Sequence, residues 1–284
     1  MSPSFNDLPV ELVDVISKFL YNPIDVRNVL FVKGLSDSVS RVCKVTRVKA
    51  ISVPTGFERV SIDLYGWIYN YDDDPFENAH GLKYLCIKMD RISRTSFGSD
   101  MLRLLFKSNL PSLVYLDISN MQTSLDGIDL SGFSGASSLK TLIMRNCDVR
   151  DLSGIPRLPA LTSLDLSYNK VKNDQVIHLV NMTGLTSLNL CSNYITPACF
   201  EYLPGTLTYL NISGCKSAGD DESEFKKLPT TITRLVANYC NDMYFGDLSH
   251  MTSLASLSLI ENECDTSELL ANLPPTLERK SIKM

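Results

Sequence analysis

Eight cysteines and three histidines are the residues of this sequence that could hold a transition metal. Zinc sites are usually built from ligands in close pairs, such as two cysteines separated by two residues. Here consecutive cysteines lie between 8 residues (Cys191 to Cys199) and 61 residues (Cys86 to Cys147) apart, and no two histidines are close. This spacing predicts free thiols in a reducing compartment, with no metal and no cofactor.

Asp117 and Asp165 are candidates for paired acid–base chemistry, because each is the fifth residue of a similar segment, two copies apart. At about 4.8 Å per strand they would lie about 10 Å apart, near the upper limit for an inverting glycosidase. Such an open face would not exclude water, which favours two surface carboxylates. The sequence also has no P-loop, G-x-G-x-x-G, G-x-S-x-G or H-E-x-x-H motif. We therefore expect a protein that is not an enzyme.

A repeated frame, L-x-x-L-x-L-x-x-(N/C), determines where these residues lie, and its copies begin 22 to 31 residues apart. In the copy LTSLDLSYN, Leu164 and Leu166 share one face of a short strand, while Ser163, Asp165 and Ser167 share the other. A single unit cannot bury its apolar side, so neighbouring copies must stack. The copies begin at Phe57, Leu82, Leu113, Leu139, Leu161, Leu185, Leu207, Ile232, Leu254 and Leu277.

These ten copies resemble the leucine-rich-repeat family. The resemblance implies an α/β fold, a right-handed horseshoe solenoid with a parallel concave sheet, over residues 51–284. Its strands should begin near the starts of the copies.

The convex side of each repeat should carry short helical segments. In KNDQVIHLV we predict a short helix with Asn173 or Asp174 at its N-cap. The pattern places Val176, Ile177 and Val180 on the inward face of that helix.

The ninth position of the frame is asparagine or cysteine in six successive copies. A side chain that turns inward there can bond to the backbone of the turn that follows the strand. We therefore expect a structural role for these residues and a cost of about 1–3 kcal/mol for Asn169→Ala, from stranded backbone groups. The residues concerned are Asn169, Asn193, Asn262, Cys147, Cys215 and Cys240.

The third, fifth and seventh positions should project from the concave sheet, with the eighth near its rim. Tyrosine and arginine among small polar residues are typical of protein interfaces, because tyrosine offers contact area at low entropic cost. We therefore predict a protein or peptide ligand on this face. The candidate residues are Tyr84, Tyr115, Asp117, Arg145, Asp165, Tyr168, Asn189, Tyr209, Asn211, Arg234 and Asn238.

Residues 1–50 have a helical pattern that differs from the repeats. DLPVELVDVISKFL has Pro9 at a suitable first helical position and an apolar face that includes Leu12, Ile16 and Leu20. A second short helix is predicted over 25–32 and a third over 36–48, the latter with valines at 39, 42 and 45.

Eight positions of this segment resemble the F-box: Leu8, Pro9, Glu11, Leu12, Ile16, Leu20, Asp25 and Val26. The resemblance assigns adaptor binding to Leu8, Pro9, Leu12, Ile16, Leu20 and Val26. The resemblance implies docking to a Skp-type adaptor of a cullin–RING ubiquitin ligase, with the repeats binding the substrate. One alternative is a repeat scaffold or regulator whose N-terminal helices only cap the solenoid. Another, suggested by three Leu-Pro-x-Thr steps, is a fragment of a bacterial-effector-like ubiquitin ligase.

The composition limits the partners further. The formal net charge is −5 and the pI about 5.3, which argues against nucleic-acid binding. No apolar run is long enough to span a bilayer, and the N-terminus lacks the pattern of a signal peptide. We expect a cytoplasmic or nuclear protein without a membrane partner. The charged last copy, with Lys280 at an apolar position, predicts a monomer.

Overall fold

The described residues form one continuous parallel sheet. The computed structural model describes residues 42–46, 59–64, 76, 79–89, 102, 105–108, 110–121, 128, 130–215, 224–240, 245–262, 270–278 and 282–283. Within them, eleven strands are ordered as in the sequence and every neighbouring pair is parallel. The strands are β1 (Val42–Thr46), β2 (Arg59–Leu64), β3 (Tyr84–Met89), β4 (Tyr115–Asp117), β5 (Thr141–Ile143), β6 (Ser163–Asp165), β7 (Ser187–Asn189), β8 (Tyr209–Asn211), β9 (Arg234–Val236), β10 (Ser256–Ser258) and β11 (Ile282–Lys283).

The repeat frame sets the register of the sheet. From β3 to β10, each strand starts at the third position of its copy, and equivalent positions pair laterally, as Leu142 does with Leu164 and Leu164 with Leu188. The predicted parallel solenoid is therefore confirmed. Because the backbone makes one turn per repeat, residues that are 22 to 31 positions apart in the sequence lie side by side in the sheet.

The core lies between the sheet and the convex segments. The first, fourth and sixth positions of one copy, Leu161, Leu164 and Leu166, are fully buried, and equivalent residues of the neighbouring copies join them in one apolar cluster. Phe200 and Phe225 from the convex side pack edge to face, with ring centroids 5.2 Å apart. The stacking of neighbouring repeats thus buries the apolar side of each repeat, as a solenoid requires.

Short helices occupy the convex side of the described residues. They are the α-helix Asn173–Val176 and the 3₁₀ helices Leu130–Gly135, Ile177–Leu179, Pro197–Tyr202 and Glu224–Lys227. The predicted helix in KNDQVIHLV is present, but its N-cap is Lys172, which makes no side-chain cap bond. Asn173 instead bonds to Thr196 of the next repeat. Val176 is buried, whereas Ile177 and Val180 are exposed, because the switch to a 3₁₀ turn changes the helical period.

The predicted third helix over 36–48 is wrong, because Val42–Thr46 is the strand β1. It pairs with β2 in parallel, Val42 with Arg59 and Thr46 with Asp63. The i, i+3 spacing of the valines fits a helix, but pairing with an open sheet edge satisfies the same backbone groups. The sheet thus begins inside the segment assigned to residues 1–50. The F-box-like positions, Leu8 to Val26, lie outside the described residues.

A threonine ladder, which the frame did not reveal, runs along the edge of the sheet at the second position. The hydroxyl of Thr186 donates to the carbonyl of Thr162 at 3.1 Å, and Thr208 bonds to Thr186 in the same way. Thr162 and Thr233 continue the pattern at 3.0–3.1 Å. Each exposed threonine therefore ties its repeat to the preceding one.

No helix among the described residues has the length and apolar character needed to cross a bilayer.

Candidate functional site

The third positions form a row across the concave sheet, each residue beside its equivalent in the next repeat. Tyrosines flank a floor of small residues: Tyr115 lies beside Thr141, and Tyr209 lies beside Ser187, with Ser163 between. Tyr84 and Tyr115 are neighbours, with ring centroids 6.2 Å apart. The full row is Arg59, Tyr84, Tyr115, Thr141, Ser163, Ser187, Tyr209, Arg234 and Ser256.

All eleven candidate ligand-binding residues are at least partly exposed in the structure. Arg145, Tyr168 and Arg234 are the most open, and the other eight are half-buried in the sheet surface. The sheet register brings together those at the third and fifth positions, whereas Tyr168 lies at the rim. Their role in binding a ligand stays a prediction.

The fifth position carries a repeated Asx turn. Asp165 accepts a hydrogen bond from the backbone N–H of Ser167 at 2.9 Å, and Asn189 and Asn211 accept in the same way from residues two further on. Asp117 does so from Ser119. This turn ends β4, β6, β7 and β8, because the side chain replaces the next ladder bond.

The two aspartates are engaged in further bonds. The second oxygen of Asp165 accepts from the Asn189 amide at 3.0 Å, and Asp117 accepts from the Ser119 hydroxyl at 2.6 Å. Partial burial, and then the charge of Asp117, raises the pKa of Tyr115. These contacts are those of positioned structural carboxylates, in agreement with the surface interpretation of Asp117 and Asp165.

Arginine–tyrosine stacks recur on the concave face. The guanidinium carbon of Arg59 lies 3.8 Å from the ring centroid of Tyr84. The corresponding distances are 5.6 Å for Arg145 over Tyr168 and 5.4 Å for Arg234 over Tyr209. Each stack joins two adjacent repeats and holds a long, otherwise mobile side chain in one place.

At the seventh position Ser167 and Ser213 are less open than predicted, whereas Arg145 is exposed. Ser167 is only 1% exposed and Ser213 only 8%, so these two do not line a ligand surface. Asn238 is half-buried and accepts bonds from the Ser258 hydroxyl and the Ile260 N–H of the next repeat. Two of these residues are serines small enough for the turn at the eighth position to cover.

The eighth position turns the chain with a left-handed backbone in seven successive repeats. Asparagine or glycine suits this conformation, and Asn120, Asn146 and Gly214 occupy it in three of these copies. Tyr168 (φ 59°) and Tyr239 (φ 57°) occupy it in two others and are 53% and 62% exposed. Bulky residues in this region carry backbone strain, so Tyr168 and Tyr239 adopt a conformation that their side chains disfavour. The sequence frame placed Tyr168 at the rim but gave no sign of this conformation.

The ninth position forms a buried polar ladder that joins repeats. The Asn169 side-chain oxygen accepts from the N–H groups of Cys147 and Val149, both at 3.0 Å. Its amide donates to the carbonyls of Met144 and Leu166 at 2.7 and 2.8 Å. Asn193 makes equivalent bonds one repeat later. The predicted inward orientation is confirmed, and it links two repeats as well as closing one turn.

The cysteines of the ninth position are buried as predicted. The Cys147 thiol donates to the carbonyl of Ile118, the Cys215 thiol to that of Leu190 and the Cys240 thiol to that of Ile212, at 3.1–3.3 Å. Burial raises the pKa of Cys147 and of Cys215 to about 12 and that of Cys240 to about 11.

These three thiols should resist alkylation, because the thiolate is the nucleophile and burial disfavours it. Iodoacetamide applied to the native protein at pH 8 and followed by peptide mass spectrometry should modify Cys86 and Cys191, which are half-buried on the concave face, before any of the three. Unfolding in urea should make all of them react. Modification of Cys147, Cys215 and Cys240 at the rate of Cys191 in the native state would contradict the assignment.

Within the described residues, no group of three or more histidine, cysteine or acidic side chains is arranged to hold a metal ion.

Comparison with known proteins finds one matching family model and a similar curated protein. A family model described as "Leucine Rich repeat" matches residues 158–174. Human Toll-like receptor 1 is 26% identical over 218 residues, which are 75% of this chain and 25% of the receptor. The chain thus spans about a quarter of the length of that relative.

Two solved structures are also similar. The mouse RP105/MD-1 complex matches with a TM-score of 0.60 and 18% identity, covering 84% of this chain and 40% of that chain. Internalin C2 of Listeria monocytogenes matches with a TM-score of 0.49 and 23% identity, covering 63% of this chain and 72% of that chain. Together with the repeat frame and the parallel sheet, these matches support a leucine-rich-repeat solenoid as the fold of this chain.

Proposed function

We propose that the protein binds a protein ligand on its concave face. The observation that carries the proposal is the third-position row, in which half-buried tyrosines and exposed arginines flank a floor of small hydroxyl residues. Aromatic and arginine side chains supply most of the energy of protein interfaces, and here each is fixed to a rigid strand. The matched mouse structure is itself a complex of two proteins, which is compatible with such a ligand.

The test is affinity capture with a variant of the concave face. Alanine replaces six residues whose side chains are not in the apolar core: Tyr115, Asp117, Arg145, Asp165, Tyr209 and Arg234. The wild-type protein should retain partners that this variant loses. A control with Lys107, Lys172 and Glu201 changed to alanine, all exposed and outside the concave sheet, should retain them. Unchanged capture by the six-residue variant, with a melting temperature close to wild type, would show that ligands bind elsewhere.

We also propose that the N-terminal segment docks a Skp-type adaptor, which makes the chain an F-box-type substrate receptor of the cytoplasm or nucleus. The spacing of Leu8, Pro9, Leu12, Ile16, Leu20 and Val26 supports this assignment. The alternative role is a repeat scaffold whose N-terminal segment only covers the first repeat.

Ile16→Asp separates these two roles. It should abolish co-purification with a Skp-type adaptor, because it places a charge on the apolar face of the predicted helix. Lys18→Asp, on the opposite face of the same helix, should keep the adaptor bound. Failure of the wild-type chain to bind any Skp-type adaptor would favour the scaffold.

A further inference from the structure

The carboxylates and the arginines of the concave face differ in how far their hydrogen-bonding groups are already engaged within the protein. Each carboxylate oxygen of Asp165 already accepts a hydrogen bond, one from the Ser167 N–H and one from the Asn189 amide. The carboxylate of Asp117 is likewise engaged by Ser119 and by the Cys86 thiol. Part of the hydrogen-bonding capacity of these two carboxylates is therefore already used by the turns and by the neighbouring strand.

The guanidinium groups of Arg145 and Arg234 remain open to a ligand. Both side chains are exposed and lie over tyrosine rings, and no ion pair is found for either among the described residues. The described ion pairs lie outside the concave sheet; Asp148, for example, holds both Arg150 and Lys170 at 2.7 Å. Stacking leaves the in-plane N–H groups of a guanidinium free to bind a carboxylate in bidentate fashion.

The positions of Arg145 and Arg234 determine how far apart two acidic groups of a ligand must be to reach both. Arg145 and Arg234 belong to copies four strands apart; Arg234 is the first residue of β9, at the third position, whereas Arg145 is at the seventh position, two residues after β5 ends. With about 4.8 Å per strand and about 3.3 Å per residue, the two positions are roughly 23 Å apart. An extended peptide covers this distance in about seven residues. The line between them crosses β6 near Asp165, β7 at Asn189 and β8 between Tyr209 and Asn211.

We propose that the concave face recognises an extended, acidic protein segment, with two carboxylate side chains about seven residues apart that pair with Arg145 and Arg234. The segment crosses the sheet diagonally from Arg145 over Asn189 and passes Tyr209 to reach Arg234. This inference rests on the proposed function and specifies the chemistry of its ligand. The chain as a whole is negative, so recognition depends on these local contacts rather than on long-range attraction.

The test selects peptides on the full-length protein from a displayed library of random 12-residue sequences. The selected pool should be enriched in aspartate and glutamate relative to the input. A synthetic selected peptide should bind at least tenfold more weakly to Arg145→Gln/Arg234→Gln, because charge-assisted hydrogen bonds are lost. Arg150→Gln/Arg157→Gln removes the same charge away from the concave sheet and should change the affinity less than twofold. Replacing the peptide's acidic residues by their amides should weaken binding to wild type as the double variant does.

Three outcomes would overturn the inference. Selected peptides without acidic enrichment, which still bind Arg145→Gln/Arg234→Gln but not Tyr115→Ala/Tyr209→Ala, would refute the acidic ligand and keep the proposed function. Peptides that bind with no dependence on any concave residue would refute both. Tighter binding of a labelled single-stranded DNA, lost in the same arginine variant, would assign the surface to a nucleic acid instead. Matching melting temperatures of the variants would exclude unfolding as the cause.

Discussion

Replacing Asn169 by alanine should lower the free energy of unfolding by about 3–5 kcal/mol, because the buried N–H groups of Cys147 and Val149 and the buried carbonyl of Met144 lose their partner. The carbonyl of Leu166 keeps its bond from the Asn193 amide. Each stranded group costs about 1–3 kcal/mol, partly offset by relaxation and water entry. This exceeds the value of about 1–3 kcal/mol expected from the sequence, since the side chain bonds to two repeats rather than one. Urea unfolding followed by circular dichroism measures the difference.

Two matched variants make this prediction specific. Asn262→Ala should cost less than Asn169→Ala, because Asn262 is only half-buried and has two such bonds, to the Cys240 N–H and the Ala237 carbonyl. Asn181→Ala, at an exposed position, should change stability by less than about 0.5 kcal/mol. Equal stabilities for all three variants would refute the polar ladder as a source of stability.

Leu188→Ala should destabilise the protein by about 2–5 kcal/mol, the range found when a buried leucine leaves a cavity. Leu188 is fully buried in β7 and pairs laterally with Leu164 and Leu210, so its removal affects three repeats. Ser187→Ala, one residue earlier on the same strand but facing the concave side, should be nearly neutral. Because repeats couple mainly to their neighbours, unfolding of the leucine variant should also broaden. A loss below about 1 kcal/mol would show that the fourth position is not a core position.

The frame was sufficient to predict the fold because its apolar positions and the core positions coincide. Leu164 and Leu188 occupy the fourth position in the sequence and are laterally paired and buried in the structure. The inward orientation of the ninth-position asparagines and cysteines was also predictable, because a polar side chain at that position can be buried only if it bonds to backbone groups.

Other features depend on contacts with neighbouring strands and on local turn geometry, which the repeat frame of a single copy does not show. Val42–Thr46 follows a helical spacing, yet an available sheet edge at β2 makes it a strand. Ser167 was expected on an open face and is buried, because local turn geometry rather than strand alternation decides its exposure. The threonine ladder and the Arg145–Tyr168 stack join residues 22–25 positions apart, and only the lateral register reveals them.

The central claim is that ligands bind on the concave face, and hydroxyl-radical footprinting tests it most directly. Tyrosine oxidation would be quantified by mass spectrometry for the protein alone and in complex with a partner obtained by affinity capture. The account predicts that Tyr84, Tyr115 and Tyr209 lose reactivity in the complex, while Tyr202, at the end of the convex helix Pro197–Tyr202, keeps it. Protection of Tyr202 with unchanged oxidation of the three concave tyrosines would contradict the claim.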